Sequence, residues 1–198
     1  MTPPSRTLGV AFSDGDRVSR IAGAVVRADG TLDGLAYGAC SVGGTDATDA
    51  LVDLAADLGR DDVRHVCVAG VAPAWFNLLD LRRLHDALDR PVSAVSYEAS
   101  PGLDTALREA FDGDALATRL AVYRSLPPRR RVDEGHLDEP TDETAPLFVR
   151  AVGVDDDRAA EVVRALTREG FRRPEPLRIA AIAASAHRAA TPDARLSG

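Results

Sequence analysis

Val66-Cys67-Val68-Ala69-Gly70-Val71-Ala72-Pro73-Ala74-Trp75-Phe76-Asn77-Leu78-Leu79-Asp80-Leu81 is the stretch that decides how this chain is read. A run of strand formers stops at Gly70 and crosses a loop carrying the chain's single Trp. It then meets Asn77, a residue suited to cap a helix over 78–88. Strand, loop and helix in that order is the layout in which α/β proteins place their sites, at the carboxyl end of a strand. The strand end itself holds Ala69, where a hydrolytic site would want a carboxylate.

Working outward, residues 7–13 read as a buried strand closed by the turn Asp14-Gly15-Asp16. Residues 20–27 and 32–42 read as two more, and the short turns between them predict an antiparallel meander. After Gly43-Gly44, the residues Leu51, Leu54, Ala55 and Leu58 recur at helical spacing and predict a helix over 46–58. Residues 63–69 form a near-continuous apolar run, as a strand buried on both faces requires. A fifth strand is predicted over 91–97 and a helix over 101–111. The order is βββαβαβα: a three-strand antiparallel meander, then alternating α/β units, giving a mixed sheet flanked by helices.

Beyond this point the pattern weakens. Residues 119–131 contain Pro127-Pro128 and an arginine triplet, and residues 132–146 are rich in Asp, Glu and Pro, as in an acidic surface loop. A late strand over 147–152 follows. Asp155-Asp156-Asp157 then opens a helix to 167, with acids in the first turn where the helix dipole favours them, and a last helix spans 175–190. One domain over residues 6–190 accommodates all of it.

All 24 basic residues of the 198 are arginine, set against 31 acids for a formal net charge of −7. A lysine-free, Asp-rich composition of this kind is that of a salt-adapted organism such as a haloarchaeon. There the acidic excess keeps the surface hydrated and does not exclude a nucleic-acid partner. At molar salt the Debye length is about 3 Å, so contacts to DNA must be short-range: bidentate Arg, stacking or metal bridging.

The two cysteines, Cys40 and Cys67, fall on predicted strands without His or Cys at ligand spacing and read as buried apolar residues. The N-terminus is polar and Pro-rich, unlike a signal peptide, and no apolar run approaches the ~20 residues of a membrane span. A soluble, cytoplasmic protein is expected. The chain has no Gly-rich phosphate loop, CxxC, HExxH or GxSxG, which disfavours a nucleoside-triphosphate hydrolase, a zinc enzyme and a serine hydrolase.

The candidate residues each carry two readings. Asp46, in Gly44-Thr45-Asp46-Ala47-Thr48-Asp49, is a helix cap or a carboxylate at the rim of a site. Asn77 and Asp80 are likewise cap residues or site residues. Trp75 and Phe76 are a hydrophobic staple or a platform that stacks on or wedges a base. Asp14 and Asp16 are turn residues or metal ligands, and His85 reads as packing. Arg129-Arg130-Arg131 and Arg172-Arg173 are the local basic clusters, solvated or in contact with phosphate.

Four segments together resemble the archaeal family called endonuclease dU, whose relatives include endonuclease V. They are Leu8-Gly9-Val10, Gly44-Thr45-Asp46-Ala47-Thr48, Gly70-Val71 through Phe76-Asn77 to Asp80, and Pro174-Glu175-Pro176-Leu177-Arg178, within a resemblance that covers about residues 7–186. The resemblance implies an RNase H-like fold and a Mg²⁺- or Mn²⁺-dependent endonuclease that hydrolyses DNA carrying a deaminated base, uracil or hypoxanthine, in DNA repair. Such nucleases hold the metal with strand-end carboxylates; the metal activates water and stabilises the leaving oxygen. At the two positions where the family usually carries Asp, this chain has Ala11 and Ala69. A relocated set would draw on Asp14, Asp46 and Asp80 for catalysis, with Asp46, Asp14 and Glu98 as metal ligands. Trp75, Phe76, Asn77 and Arg130 would contact DNA. The alternative is a non-catalytic member that binds nucleic acid or a protein partner.

Overall fold

The computed structural model describes residues 3–97, 101–132 and 146–191. Strands β1 (Arg6–Asp14), β2 (Val18–Arg27) and β3 (Leu32–Ser41) form the meander, followed by helix α1 (Ala47–Leu58). Strand β4 (His65–Ala69), the single turn α2 (Pro73–Phe76), helix α3 (Leu81–Leu88) and strand β5 (Val92–Ser96) come next. Helices α4 (Asp104–Ala110) and α5 (Gly113–Ser125), strands β6 (Arg130–Val132) and β7 (Leu147–Val152), and helices α6 (Asp156–Leu166) and α7 (Glu175–Ala190) complete the chain. The seven strands make one sheet in the order β3-β2-β1-β4-β5-β7-β6. Strands β1, β4 and β5 run parallel, and the meander and the β5-β7-β6 edge are antiparallel.

This is the RNase H-like arrangement expected from the sequence. Alternation along β1 shows how the sheet is covered. Leu8 and Val10 point to one face and pack with Leu51 and Leu54 of α1 and Leu81 and Leu84 of α3. Gly9 and Ala11 point to the other. There α7 lies so close that a Cβ on Gly9 would sit 2.3 Å from the Pro176 carbonyl carbon, so only glycine fits. Ala11 packs with Ala24, Val26 and Ala180, and small residues on both sides set this short distance between sheet and helix. Cys67, Val95, Val149 and Ala151 continue the same face under α6 and the start of α7. Cys40 and Cys67 are both free and buried.

The structure departs from the expected elements in three places. The helix expected over 78–88 starts only at Leu81, and its N-cap is Asp80, whose carboxylate accepts from the backbone N–H groups of Arg82 (3.1 Å) and Arg83 (3.0 Å). Asn77 therefore does not cap the helix that follows it. Helix α5 and the short strand β6 occupy residues left unassigned. In α5 the residues meeting neighbours, Leu116, Leu120 and Tyr123, recur at helical spacing, but a buried arginine, Arg119, interrupts their stripe and weakens the signal. Residues 133–145, most of the acidic loop, lie outside the described residues.

Candidate functional site

The parallel strands β1, β4 and β5 end at a cleft of about 740 Å³. Ala11, Phe12, Ala69, Gly70, Ala94 and Ser96 form its floor, and Ala72, Leu103, Tyr97 and Tyr123 stand around it. Three arginines enter it: Arg150 from β7, Arg129 from the residue before β6, and Arg173 from the approach to α7. No Asp or Glu lines it among the described residues. A metal held by strand-end carboxylates needs hard oxygen donors within about 2.0–2.6 Å, and alanine methyls and guanidinium groups supply none. The described residues of the cleft thus do not fit a Mg²⁺ or Mn²⁺ centre. Nor do His, Cys, Asp and Glu side chains gather in threes anywhere among the described residues.

Each arginine is held by its surroundings. The Arg129 guanidinium lies 4.2 Å from the Phe148 ring centroid, and that of Arg173 lies 5.4 Å from Tyr97. Arg150 sits 6.0 Å from the Tyr123 ring and donates to the Pro127 carbonyl. Desolvation lowers the Arg150 pKa, and the nearby Arg129 charge pushes in the same direction. The Tyr97 hydroxyl is buried without a hydrogen-bond partner among the described residues, and burial raises its pKa despite the opposing arginines Arg173 and Arg172.

The acids singled out in the sequence lie elsewhere. Asp46 sits at the N-cap position of α1, yet its carboxylate makes no capping bond. Its oxygens instead accept from the Ser41 amide (3.1 Å), the Ser41 hydroxyl (2.9 Å) and the Asn77 side-chain amide (2.7 Å). Partial burial pushes this carboxyl up, but the Asn77 and Ser41 hydrogen bonds outweigh it and hold it below the usual range. Asn77, itself fully buried, caps α1 rather than α3. Its Oδ1 accepts from the Ala47 amide at 2.9 Å, and its Nδ2 donates to the Ser41 carbonyl at 2.8 Å as well as to Asp46. The Asp80 amide donates to the Thr48 hydroxyl at 3.0 Å, closing the same seam. Asp14, the last residue of β1, accepts from the Ser19 hydroxyl at 2.6 Å, and Ser19 pairs with Cys40 on β3. The structure therefore brings Asp46, Asn77 and Asp80 into one seam, with Asp14 outside its hydrogen bonds. Asp14 is still near enough that, added to burial, its charge and that of Asp46 raise the pKa of the Cys40 thiol. Glu98 lies outside the described residues.

The aromatic pair follows the cleft by a few residues. Ala74, Trp75 and Phe76 all take positive φ (50°, 51° and 62°), a costly conformation for three consecutive residues with side chains. The turn is held by its neighbours: the Gly43 amide donates to the Ala74 carbonyl at 2.7 Å, and a Cβ on Gly43 would meet the indole at 2.8 Å. Trp75 is 54% exposed, with its ring 5.1 Å from Phe111 and 5.9 Å from Phe76. This is a ring cluster with the end of α4, not a staple on α3. Behind it, buried Arg119 stacks on Phe111 at 3.8 Å and donates to the carbonyls of Phe76, Ala115, Gly43 and Gly44. Arg130 is exposed and paired with Asp157 at 2.5 Å; it is Arg129, one residue earlier, that lines the cleft. Sequence reading marked Arg129 and Arg173 only as parts of basic clusters and gave no sign of Arg150, Tyr97, Tyr123 or Arg119.

Similarity to known proteins fits this geometry. A UPF0215 protein of Thermococcus kodakarensis is 35% identical over 148 residues, which are 74% of this chain and 69% of that one. Among solved structures, a protein of unknown function from Archaeoglobus fulgidus superposes with TM-score 0.78 at 24% identity, covering 92% of this chain and 97% of that one. Endonuclease V of Ciona intestinalis, in complex with a 24mer DNA containing an inosine followed by a ribo-adenosine, gives TM-score 0.59 at 12% identity, covering 94% and 90%. At these identities the two structures establish the fold alone. The match to the Endonuclease dU family extends over residues 4–188, and the chain belongs to that family.

Proposed function

We propose that this chain is a DNA-binding member of the endonuclease dU family that takes nucleic acid into the cleft at the ends of β1, β4 and β5. DNA carrying a deaminated base, uracil or hypoxanthine, is the ligand class. Binding runs through arginine and aromatic contacts and not through a strand-end metal centre. One observation carries this reading: the cleft lies where the fold places a catalytic site, but Ala11 and Ala69 stand at its strand ends and three arginines around them. Cations without carboxylates among the described residues favour a polyanion over a metal ion. Trp75, exposed on its strained turn beside the cleft wall, supplies a face on which an unpaired base stacks.

A second reading, a metal-dependent endonuclease with a relocated carboxylate set drawn from Asp14, Asp46, Asp80 and Glu98, has one observation in its favour. The Asp46 carboxyl is held ionised at neutral pH, as a ligand must be. Against it, both Asp46 oxygens already accept hydrogen bonds, and the Asp80 carboxylate is engaged by two amides of α3.

The test is one set of uracil-containing, hypoxanthine-containing and undamaged duplexes, assayed for binding by anisotropy and for cutting by gel, with Mg²⁺, with Mn²⁺ and with excess EDTA. The proposal expects tighter binding of the damaged duplexes, unchanged by EDTA, and no cutting. Metal-dependent cutting that disappears in Asp46→Ala would establish the second reading in its place. Equal, weak binding of all three duplexes would remove the deaminated-base preference.

A further inference from the structure

We propose that the cleft holds a terminal phosphate of a nucleotide, a phosphomonoester dianion, between Arg150, Arg173 and Arg129, with the Tyr97 hydroxyl as a fourth donor. This deepens the reading above and rests on nucleic acid entering the cleft. A volume of about 740 Å³ is in the range of a site for a nucleotide-sized ligand. Its polar groups converge from four separate segments: the end of β5 (Tyr97), β7 (Arg150), the approach to β6 (Arg129) and the approach to α7 (Arg173).

The chemistry selects an anion of high charge. The Arg150 and Arg173 guanidinium groups lie 6.0 Å and 5.4 Å from tyrosine rings on the cleft wall, and Arg150 is further fixed by donating to the Pro127 carbonyl. Each planar fork carries five N–H donors, of which those not so engaged serve phosphate oxygens. Arg129 lines the same wall close enough for its charge to be felt at Arg150, a repulsion that a bound anion turns into attraction. An internal phosphodiester carries a single charge and two esterified oxygens. A terminal phosphate carries up to two charges and three oxygens free to accept, which matches several donors better.

Tyr97 supplies the independent observation. The tyrosine lines the cleft and its hydroxyl is buried without a partner among the described residues, a condition that a native structure normally resolves with a ligand or water. Burial keeps the phenol protonated, so the hydroxyl is a donor awaiting an acceptor.

The test compares one single-stranded oligonucleotide in three forms, 5′-phosphorylated, 3′-phosphorylated and unphosphorylated at both ends, together with thymidine monophosphate and thymidine. Anisotropy is used for the strands, calorimetry for the small molecules, and excess EDTA is present throughout. One phosphorylated strand is expected to bind about tenfold tighter than the unphosphorylated one, the worth of a charge-assisted hydrogen-bond set. Tyr97→Phe, which removes one oxygen and keeps the ring beside Arg173, is expected to erase most of that preference. Arg173→Gln is expected to erase it as well.

If all three strands bind equally, the cleft reads internal phosphates: the inference falls and the proposed function stands. If no strand binds but thymidine monophosphate does, the proposed function falls. The inference then stands for a free nucleotide, provided that thymidine does not bind and that Arg173→Gln abolishes the signal. If neither strands nor nucleotide bind, both fall.

Discussion

Two regions of this molecule hold the polar residues that looked functional, and they treat charge in opposite ways. In the seam between the β3–α1 turn and the loop before α3, the acids Asp46 and Asp80 are satisfied by amides, a hydroxyl and Asn77. The cleft is lined by three arginines and two tyrosines, with no acid among the described lining. A seam with its hydrogen bonds closed holds elements together, whereas a cationic cleft suits an anionic ligand. In the proposed reading, the contrast separates residues singled out by their type from residues assigned to the site by where they stand.

The seam should fail first when disturbed. Asn77→Ala removes three hydrogen bonds, one buried and two partly buried, and leaves the Ala47 amide unpaired while the Ser41 carbonyl keeps the Gly44 amide, so a loss of about 3 kcal/mol is expected in urea unfolding. A loss under about 1 kcal/mol would mean that the seam does not hold these segments together.

The cleft floor can be challenged by restoring acids. Ala11→Asp places a carboxylate at a position 2% exposed, packed with Ala24 and Ala180, and is expected to cost about 2 kcal/mol or more without metal. In the double variant with Ala69→Asp, added Mg²⁺ should raise the melting temperature, whereas the wild type should not respond. A wild-type response would erase the distinction between the two regions.

Above the carboxylate range, acid should act on the core rather than on either region; at lower pH it should also reach Asp46 in the seam. His65 is buried on β4, with Nε2 2.9 Å from the Ser93 hydroxyl. Burial, aided by the Arg158 charge, lowers its pKa from 6.5 to about 4. The unfolded chain takes up this proton at higher pH than the folded one. The neutral histidine's contribution is therefore intact above about pH 6.5 and is lost as pH falls toward 4, by at most about 1.4 kcal/mol per pH unit. His65→Gln should flatten that part of the stability–pH curve; an unchanged curve would assign the slope to other groups. The smallest effect belongs to Asp80→Ala, where loss of the α3 cap should cost about 1 kcal/mol and leave DNA binding untouched.

The fold was legible because its signals are local. Short turns after β1 and β2, the stripe Leu51-Leu54-Leu58 and the apolar run 65–69 name their elements without help from the rest of the chain. Helix α5 was hard to read because the short stripe Leu116-Leu120-Tyr123 is interrupted by Arg119, a charged residue that the fold buries against carbonyls and the Phe111 ring.

The site was half legible. The sequence located the strand end at Ala69, but its candidate carboxylates, Asp14, Asp46, Asp80 and Glu98, were chosen by residue type. The seam that holds Asp46 and Asp80 depends on contacts about 30 residues apart, such as Asn77 to Ala47. Arg150 and Tyr97 carry no motif. They become visible only when β7 pairs antiparallel with β5, placing Arg150 opposite Ala94 at the edge of the cleft.

The most direct test of the central claim is calorimetric titration of Mg²⁺ and Mn²⁺ into the protein at high salt, with the single Trp75 as a parallel fluorescence reporter. A cleft built on arginine predicts no saturable binding of either ion in wild type, Asp46→Ala or Glu98→Gln. Saturable wild-type binding that vanishes in Asp46→Ala or Glu98→Gln would contradict it, and would show that carboxylates, not arginines, define the site.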